Sequence, residues 1–220
     1  MLFLLKYAKI WIMNTLKTFI FIGPSGCGKG TQVELLIKHL TQTGDISTER
    51  PVLHSESGKR FRDFVKQDDF MAGKTKLAME RGERLPDALA VWNWTGYLIE
   101  HYTGREHLIF DGSPRSLLEA KALDTILSFL KRERAVVIFL DVSAEESIKR
   151  LLKRATEQGR ADDDLEEIKR RLDWFEKDVR PALEYYEKES AHLFLKINGE
   201  QSREKIHEDI KARLAEAPKA

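Results

Sequence analysis

The sequence predicts an α/β fold: a parallel sheet of about five strands with helices packed on both faces. Three observations predict it. Short apolar runs, several of them β-branched, recur along the chain. Segments with helical periodicity separate them. Gly-rich or polar turns stand at the carboxyl ends of three of the runs, where a parallel sheet places its ligands.

The elements follow in order. Strands are expected at Thr18–Ile22, Val52–Ser55, His107–Asp111, Ala135–Asp141 and His192–Ile197. Lys29–Thr43 carries Val33, Leu36, Ile37 and Leu40 on one helical face. Pro86 opens Asp87–Tyr102, a helix whose Trp92, Trp94, Tyr97 and Tyr102 are expected to serve core and small-domain packing rather than stack on bases. Ser116–Arg132 repeats apolar residues at Leu118, Ala122, Leu123, Ile126, Leu127 and Leu130. Ala144–Thr156 and Asp164–Lys188 read as two helices, each charged outside with one apolar stripe. Arg203–Ala215 closes the chain with Ile206, Ile210 and Leu214.

The first strand feeds Gly23-Pro24-Ser25-Gly26-Cys27-Gly28-Lys29-Gly30-Thr31-Gln32. A Gly-rich turn between strand and helix aims successive backbone N–H groups at an anion, and the helix dipole adds positive potential. Lys29 is placed to reach outer phosphates as a charge-assisted donor. The pattern is that of a P-loop, except that Gly30 stands where Ser or Thr usually follows the lysine, with Thr31 one position later.

Charge excludes one class of function. Lys and Arg number 37 against 36 Asp and Glu, so the basic excess of a general nucleic-acid binder is missing. The lone cysteine, Cys27, rules out a disulfide framework or a Cys-rich zinc site within one chain and suits a reducing cytoplasm. It reads as a small residue in a tight loop. Residues 1–12 are apolar but interrupted by two lysines, too short to span a bilayer and without a cleavage site. They are expected to be an upstream extension ahead of Met13, with an interfacial anchor as the other reading.

A second constellation surrounds the loop. Ser57-Gly58-Lys59-Arg60-Phe61-Arg62 follows the second strand, and Asp111-Gly112-Ser113-Pro114-Arg115-Ser116 the third. Arg150, Arg154, Arg160 and Arg171 lie on or beside charged helices. Phosphoryl transfer gathers negative charge between two anions, and guanidinium groups stay ionised and bind oxygens through a fork. Arg132, Arg134 and Arg213 are instead read as solvated faces.

These segments resemble the nucleoside monophosphate kinases, most closely the short-lid adenylate kinases, over about residues 15–215. Gly28 to Gln32 is the family's Gly-Lys-Gly-Thr-Gln core and accounts for Gly30. Asp111-Gly112-Ser113-Pro114-Arg115 looks like its Asp-Gly-Phe-Pro-Arg, Gly159-Arg160-Ala161-Asp162-Asp163 like its lid-closing Arg-x-Asp-Asp, and Asn198-Gly199-Glu200-Gln201 like its adenine-contacting loop.

The resemblance implies a P-loop NTPase three-layer fold: a kinase domain over 14–220, a small helical monophosphate-binding insertion at about 56–86 and a short lid at about 154–163. It implies ATP phosphate contacts from Ser25, Gly26, Cys27, Gly28, Lys29, Gly30 and Thr31, with Arg150, Arg154 and the loop of Gln201 on the ATP side. Ser57, Gly58, Arg62, Leu85, Gly112, Arg115, Glu119, Arg160 and Arg171 form the implied AMP site. Lys29, Arg115, Arg150, Arg154, Arg160 and Arg171 are the implied catalytic set, and Asp111 would orient water around Mg²⁺. No structural zinc is implied, because the short lid lacks the inserted domain that carries one. The expected partners are ATP and a nucleoside monophosphate, with no nucleic acid and no membrane, in a cytoplasmic monomer.

Two departures leave the acceptor base open. Ser113 replaces the family's Phe and is expected to open space beside the base. Glu119 replaces a Gln that reads AMP; an ionised carboxylate only accepts, which matches the two donors of guanine better than adenine. AMP is the first expectation, with GMP, CMP and UMP as alternatives. A non-catalytic nucleotide-binding module is the rival of another class. A sugar, shikimate or nucleoside kinase is disfavoured by Arg62 and Arg115, and a small GTPase by the lack of Asn-Lys-x-Asp.

Overall fold

The computed structural model describes residues 16–132, 134–158 and 164–216. The extension at 1–12 and residues 159–163, which include Arg160, lie outside that set. Five parallel strands, β1 (Thr18–Ile22), β2 (Val52–Glu56), β3 (His107–Asp111), β4 (Val136–Asp141) and β5 (Leu193–Asn198), form one sheet in the order β2-β3-β1-β4-β5. All the expected strands are present, with shifts of one residue at their ends. β1 is central, pairing with β3 on one side and β4 on the other. The loop after β1 therefore sits where strand order reverses, the usual ligand crevice of such sheets.

Side-chain alternation along β1 builds the two sides of the core. Phe19 and Phe21 face one way, against Val33, Leu36 and Leu40 of α1 (Lys29–Gln42) and Ile206 and Ile210 of α9 (Arg203–Glu216). Gln32 of α1 is buried too, and its Nε2 donates to Arg203 O at 2.9 Å, tying the two helices. Ile20 and Ile22 face the other way, with Trp94 of α4 (Asp87–His101), Leu123 and Leu127 of α5 (Leu117–Phe129), and Leu183 and Tyr186 of α8 (Arg180–Lys188). Each fully buried Phe, Ile or Leu contributes about 1.5–3 kcal/mol against conformational entropy. A smaller cluster of Leu151, Ile168 and Leu172 joins α6 (Ala144–Gln158) to α7 (Leu165–Trp174).

The segment between β2 and α4 is folded as two helices, α2 (Ser57–Phe64) and α3 (Phe70–Glu80). Asp69 caps α3, its carboxylate accepting from Ala72 N at 2.9 Å. Two readings change. Asp164–Lys188 is not one helix: α7 ends at Trp174 and a π-helical turn, Phe175–Val179, precedes α8. Phe175 and Val179 are buried, and the wide turn brings both onto the core. The second correction is Arg132. It is buried, and its Nη2 donates to Glu106 O at 2.6 Å and Tyr102 Oη at 3.0 Å. The α5 helix stops before it, at Phe129, and Lys131 takes a positive φ of 56°, which turns the chain inward. Arg134 and Arg213 are exposed.

Candidate active site

The loop after β1 needs glycine for two separate reasons. Gly26 and Gly28 have φ of +83° and +93°. At Gly26 a Cβ would also lie 2.9 Å from Leu151 Cγ and 3.0 Å from Ser147 O, so the loop rests directly on α6. Gly28 is the N-cap of α1, which leaves the first N–H groups of that helix facing the cleft. Lys29 folds over the loop, Nζ donating to Gly23 O at 2.7 Å and Pro24 O at 3.0 Å. Cys27 is wholly buried beneath it, 3.4 Å from Lys29 Nζ.

A cleft of about 1110 Å³ runs from this loop across the carboxyl ends of β1, β2 and β3. Ser25, Gly26, Gly28, Lys29, Gly30 and Thr31 form one wall. Gly58 and Arg62 of α2, Leu85, and Asp111, Gly112, Arg115 and Glu119 from the segment after β3 line the opposite side. Arg150 and Arg154 of α6 and Arg171 of α7 also line it. Residues distant in sequence thus meet in one cleft.

Arg115 is held in place by its own segment. Its Nε donates to Gly112 O at 2.7 Å, its backbone N donates to Glu119 Oε2 at 2.7 Å, and its guanidinium carbon lies 5.8 Å from the centre of the Trp174 ring. Burial lowers its pKa; Glu119 and Asp111 oppose that, while Arg171 and Arg62 add to it by like-charge repulsion. Those couplings place three guanidinium groups in one cleft. Arg150 is oriented by Glu146 Oε1 at 2.8 Å and by Gly199 O at 2.9 Å, which ties α6 to the loop after β5.

Several side chains expected in the site are engaged with other protein groups. Ser57 is buried, its hydroxyl paired with that of Ser113. Ser113 is likewise 2% exposed, so this pair ties two loops together and does not open the space expected beside a base. The Gln201 side chain donates from Nε2 to Asn198 O at 3.1 Å and to Asp209 Oδ2 at 2.9 Å. Glu119 is neither solvent-facing nor unengaged. It is fully buried, accepting from Trp94 Nε1 at 3.1 Å on one oxygen and from Arg115 N on the other. Burial pushes its carboxyl above the ordinary range, against the pull of Arg115 and of Ser113 and Trp94. Trp94 packs in the core as its helical spacing predicts, whereas Trp174 was missed as a cleft-wall residue. Trp174 lies at helical spacing within an apolar stripe, and nothing local distinguishes a cleft-wall indole from a core one. The buried indole N–H of Trp174 has no acceptor among the described residues.

The profile of the adenylate kinase family matches residues 21–191. The chain belongs to the adenylate kinase family. Adenylate kinases from three bacteria match nearly end to end. That of Leptospira biflexa is 37% identical over 195 residues, covering 89% of this chain and 98% of the relative. That of Thermus thermophilus is 32% identical over 206 residues, covering 92% and 99%. That of Parabacteroides distasonis is 34% identical over 203 residues, covering 90% and 95%. The protein is therefore a phosphotransferase on the P-loop fold, and family membership accounts for Gly30 after the lysine. Among the described residues, no helix is long and apolar enough to cross a membrane, and no three His, Cys, Asp or Glu are grouped to hold a metal ion.

Proposed function

We propose that the protein transfers the terminal phosphoryl group of ATP to AMP, giving two ADP, reversibly and with Mg²⁺. The observation that carries the reading is the charge layout of the cleft. It is lined by the P-loop with its Lys29, by Arg62 and Arg115 from the segments after β2 and β3, and by Arg150, Arg154 and Arg171 from α6 and α7. A single anion needs one such group of cations; transfer between two phosphate groups needs more than one.

ATP phosphates sit against the N–H groups of residues 25–31, and their oxygens replace the Gly23 and Pro24 carbonyls as partners of Lys29. Arg62 and Arg115 grip the acceptor phosphate and point its oxygen in line with the phosphoryl group to be transferred. No protein nucleophile is required. Arg150, Arg154 and Arg171, with Arg160 from the lid segment, neutralise charge as it spreads over the transferring group. Asp111 suits Mg²⁺ held through water: its side chain is 15% exposed at the end of β3, and its Oδ2 lies 3.7 Å from where a Gly30 Cβ would be. When bound with ATP, Mg²⁺ supplies charge neutralisation along the phosphate chain. Closure of the lid and of the α2–α3 segment excludes water and limits ATP hydrolysis. The reading includes a cytoplasmic monomer, to which a single buried thiol is suited; sedimentation checks the monomer.

The test is ATP-dependent phosphorylation of AMP, GMP, CMP, UMP and dTMP by the purified protein. AMP is expected to be preferred. Preference for another base would move the acceptor; inactivity on every acceptor would leave a binding module. Lys29→Ala and Arg115→Ala are each expected to lower kcat/KM by about 10²–10³-fold, the scale of losing one preorganised charge contact. Unfolding temperatures are expected to stay close to wild type, as read by calorimetry.

A further inference from the structure

Arg115 faces two other guanidinium groups in a cleft that must open and reload on every turnover. Glu119 and Asp111 attract it, while Arg62 and Arg171 both repel it. Something has to hold its side chain forward between turnovers without taking the N–H groups that the acceptor phosphate needs. A carboxylate would hold it by pairing with those same donors and would compete with the ligand. An aromatic face does not compete, because it attracts the guanidinium through its flat side and leaves the in-plane N–H groups available.

Trp174 is placed to do this. It is the last residue of α7, half-buried in the cleft wall, with its ring centre 5.8 Å from Arg115 Cζ. The π-helical turn that follows fixes its direction, since Phe175 and Val179 on either end of that turn are locked in the core at 4% and 2% exposure. On the other side, the Gly112 carbonyl takes Arg115 Nε at 2.7 Å. Ring and carbonyl together leave the two terminal nitrogens of the fork.

We propose that Trp174 is a positioning residue for phosphoryl transfer: its indole face holds the Arg115 guanidinium in the acceptor-binding orientation. The inference rests on Arg115 acting at the acceptor phosphate, as in the function proposed above.

The experiment is steady-state kinetics of Trp174→Leu, Trp174→Phe and Trp174→Tyr, with AMP and ATP varied separately and unfolding temperatures recorded. Trp174→Leu is expected to raise KM for AMP by about 3- to 30-fold, the span of a partly desolvated cation–π contact. KM for ATP is expected to stay within about twofold. Trp174→Phe and Trp174→Tyr, which keep a ring face, should recover most of the loss. In an Arg115→Ala background, Trp174→Leu should add no further effect. If Trp174→Leu does not fold, the Phe and Tyr variants compared with Trp174→Met give the same contrast between ring and no ring. The proposal is overturned if the ringless variants keep the wild-type KM for AMP, if KM for ATP shifts equally, or if the effect persists without Arg115. Should the wild type prefer another monophosphate, the same comparison is made with that acceptor, so an error in the acceptor is separable from an error about Trp174.

Discussion

At Gly26 a left-handed backbone and two close neighbours coincide, so an added methyl group is penalised twice. An L-residue at φ +83° costs about 1–2 kcal/mol, and the contact with Leu151 and Ser147 forces α6 away from the loop. Gly26→Ala is expected to lower the unfolding temperature and raise KM for ATP together, measured by calorimetry and kinetics. Glu119 gives a pH signature instead. Its carboxyl is pushed up by burial in the folded protein, so the fold binds a proton there that the unfolded chain has already lost. Stability therefore falls as pH rises from the ordinary carboxyl value of 4.5 through the raised folded value. Glu119→Gln has no such group. Urea unfolding of both proteins is expected to show wild type losing ground to the variant across that window, and a constant gap would count against the raised carboxyl. The P-loop residues were readable because the motif is contiguous. The pairing of Glu119 with Trp94 was not, since Trp94 lies 25 residues away on another helix.

Among the elements, the α2–α3 segment lines the cleft, on the side proposed for the acceptor, while contributing few residues to the main core. Its stability leans on local signals such as the Asp69 cap. Asp69→Ala is expected to cost about 0.5–2 kcal/mol. Hydrogen exchange should rise in residues 70–80 more than in the sheet, which separates local fraying from global loss. Periodicity located most helices to within a few residues. It failed at Asp164–Lys188, where the apolar stripe runs through the π turn without a break in composition. One added residue in a turn changes which side chains face the cleft but leaves the pattern of apolar and polar residues nearly intact. Arg132 failed for a related reason: its charge reads as solvent-facing, and the Glu106 carbonyl that receives it comes from before β3.

For the whole molecule, the sheet order puts the loop of β1 between the ends of β3 and β4, so the proposed donor and acceptor sites share one crevice. Ligands that fill both sites bind only the folded form. At a hundredfold excess over Kd, each is expected to stabilise by about 2.7 kcal/mol. At about 2–4 °C per kcal/mol for a chain of this size, calorimetry should show a rise of several degrees with an ATP analogue, and a larger one with AMP added. An unchanged transition would argue against a formed site.

Order along the chain was enough to reveal the alternating strands and helices, the phosphate loop, the basic segments after β2 and β3, and the kinship with adenylate kinases. Each of these is written in consecutive residues, because a backbone turn or a strand end is shaped by its immediate neighbours. The state of Glu119, the Ser57–Ser113 tie, the burial of Arg132 and the indole beneath Arg115 became visible only in the folded molecule. They depend on side chains brought together across tens of residues, where burial and hydrogen bonding, rather than local pattern, set what each group can do.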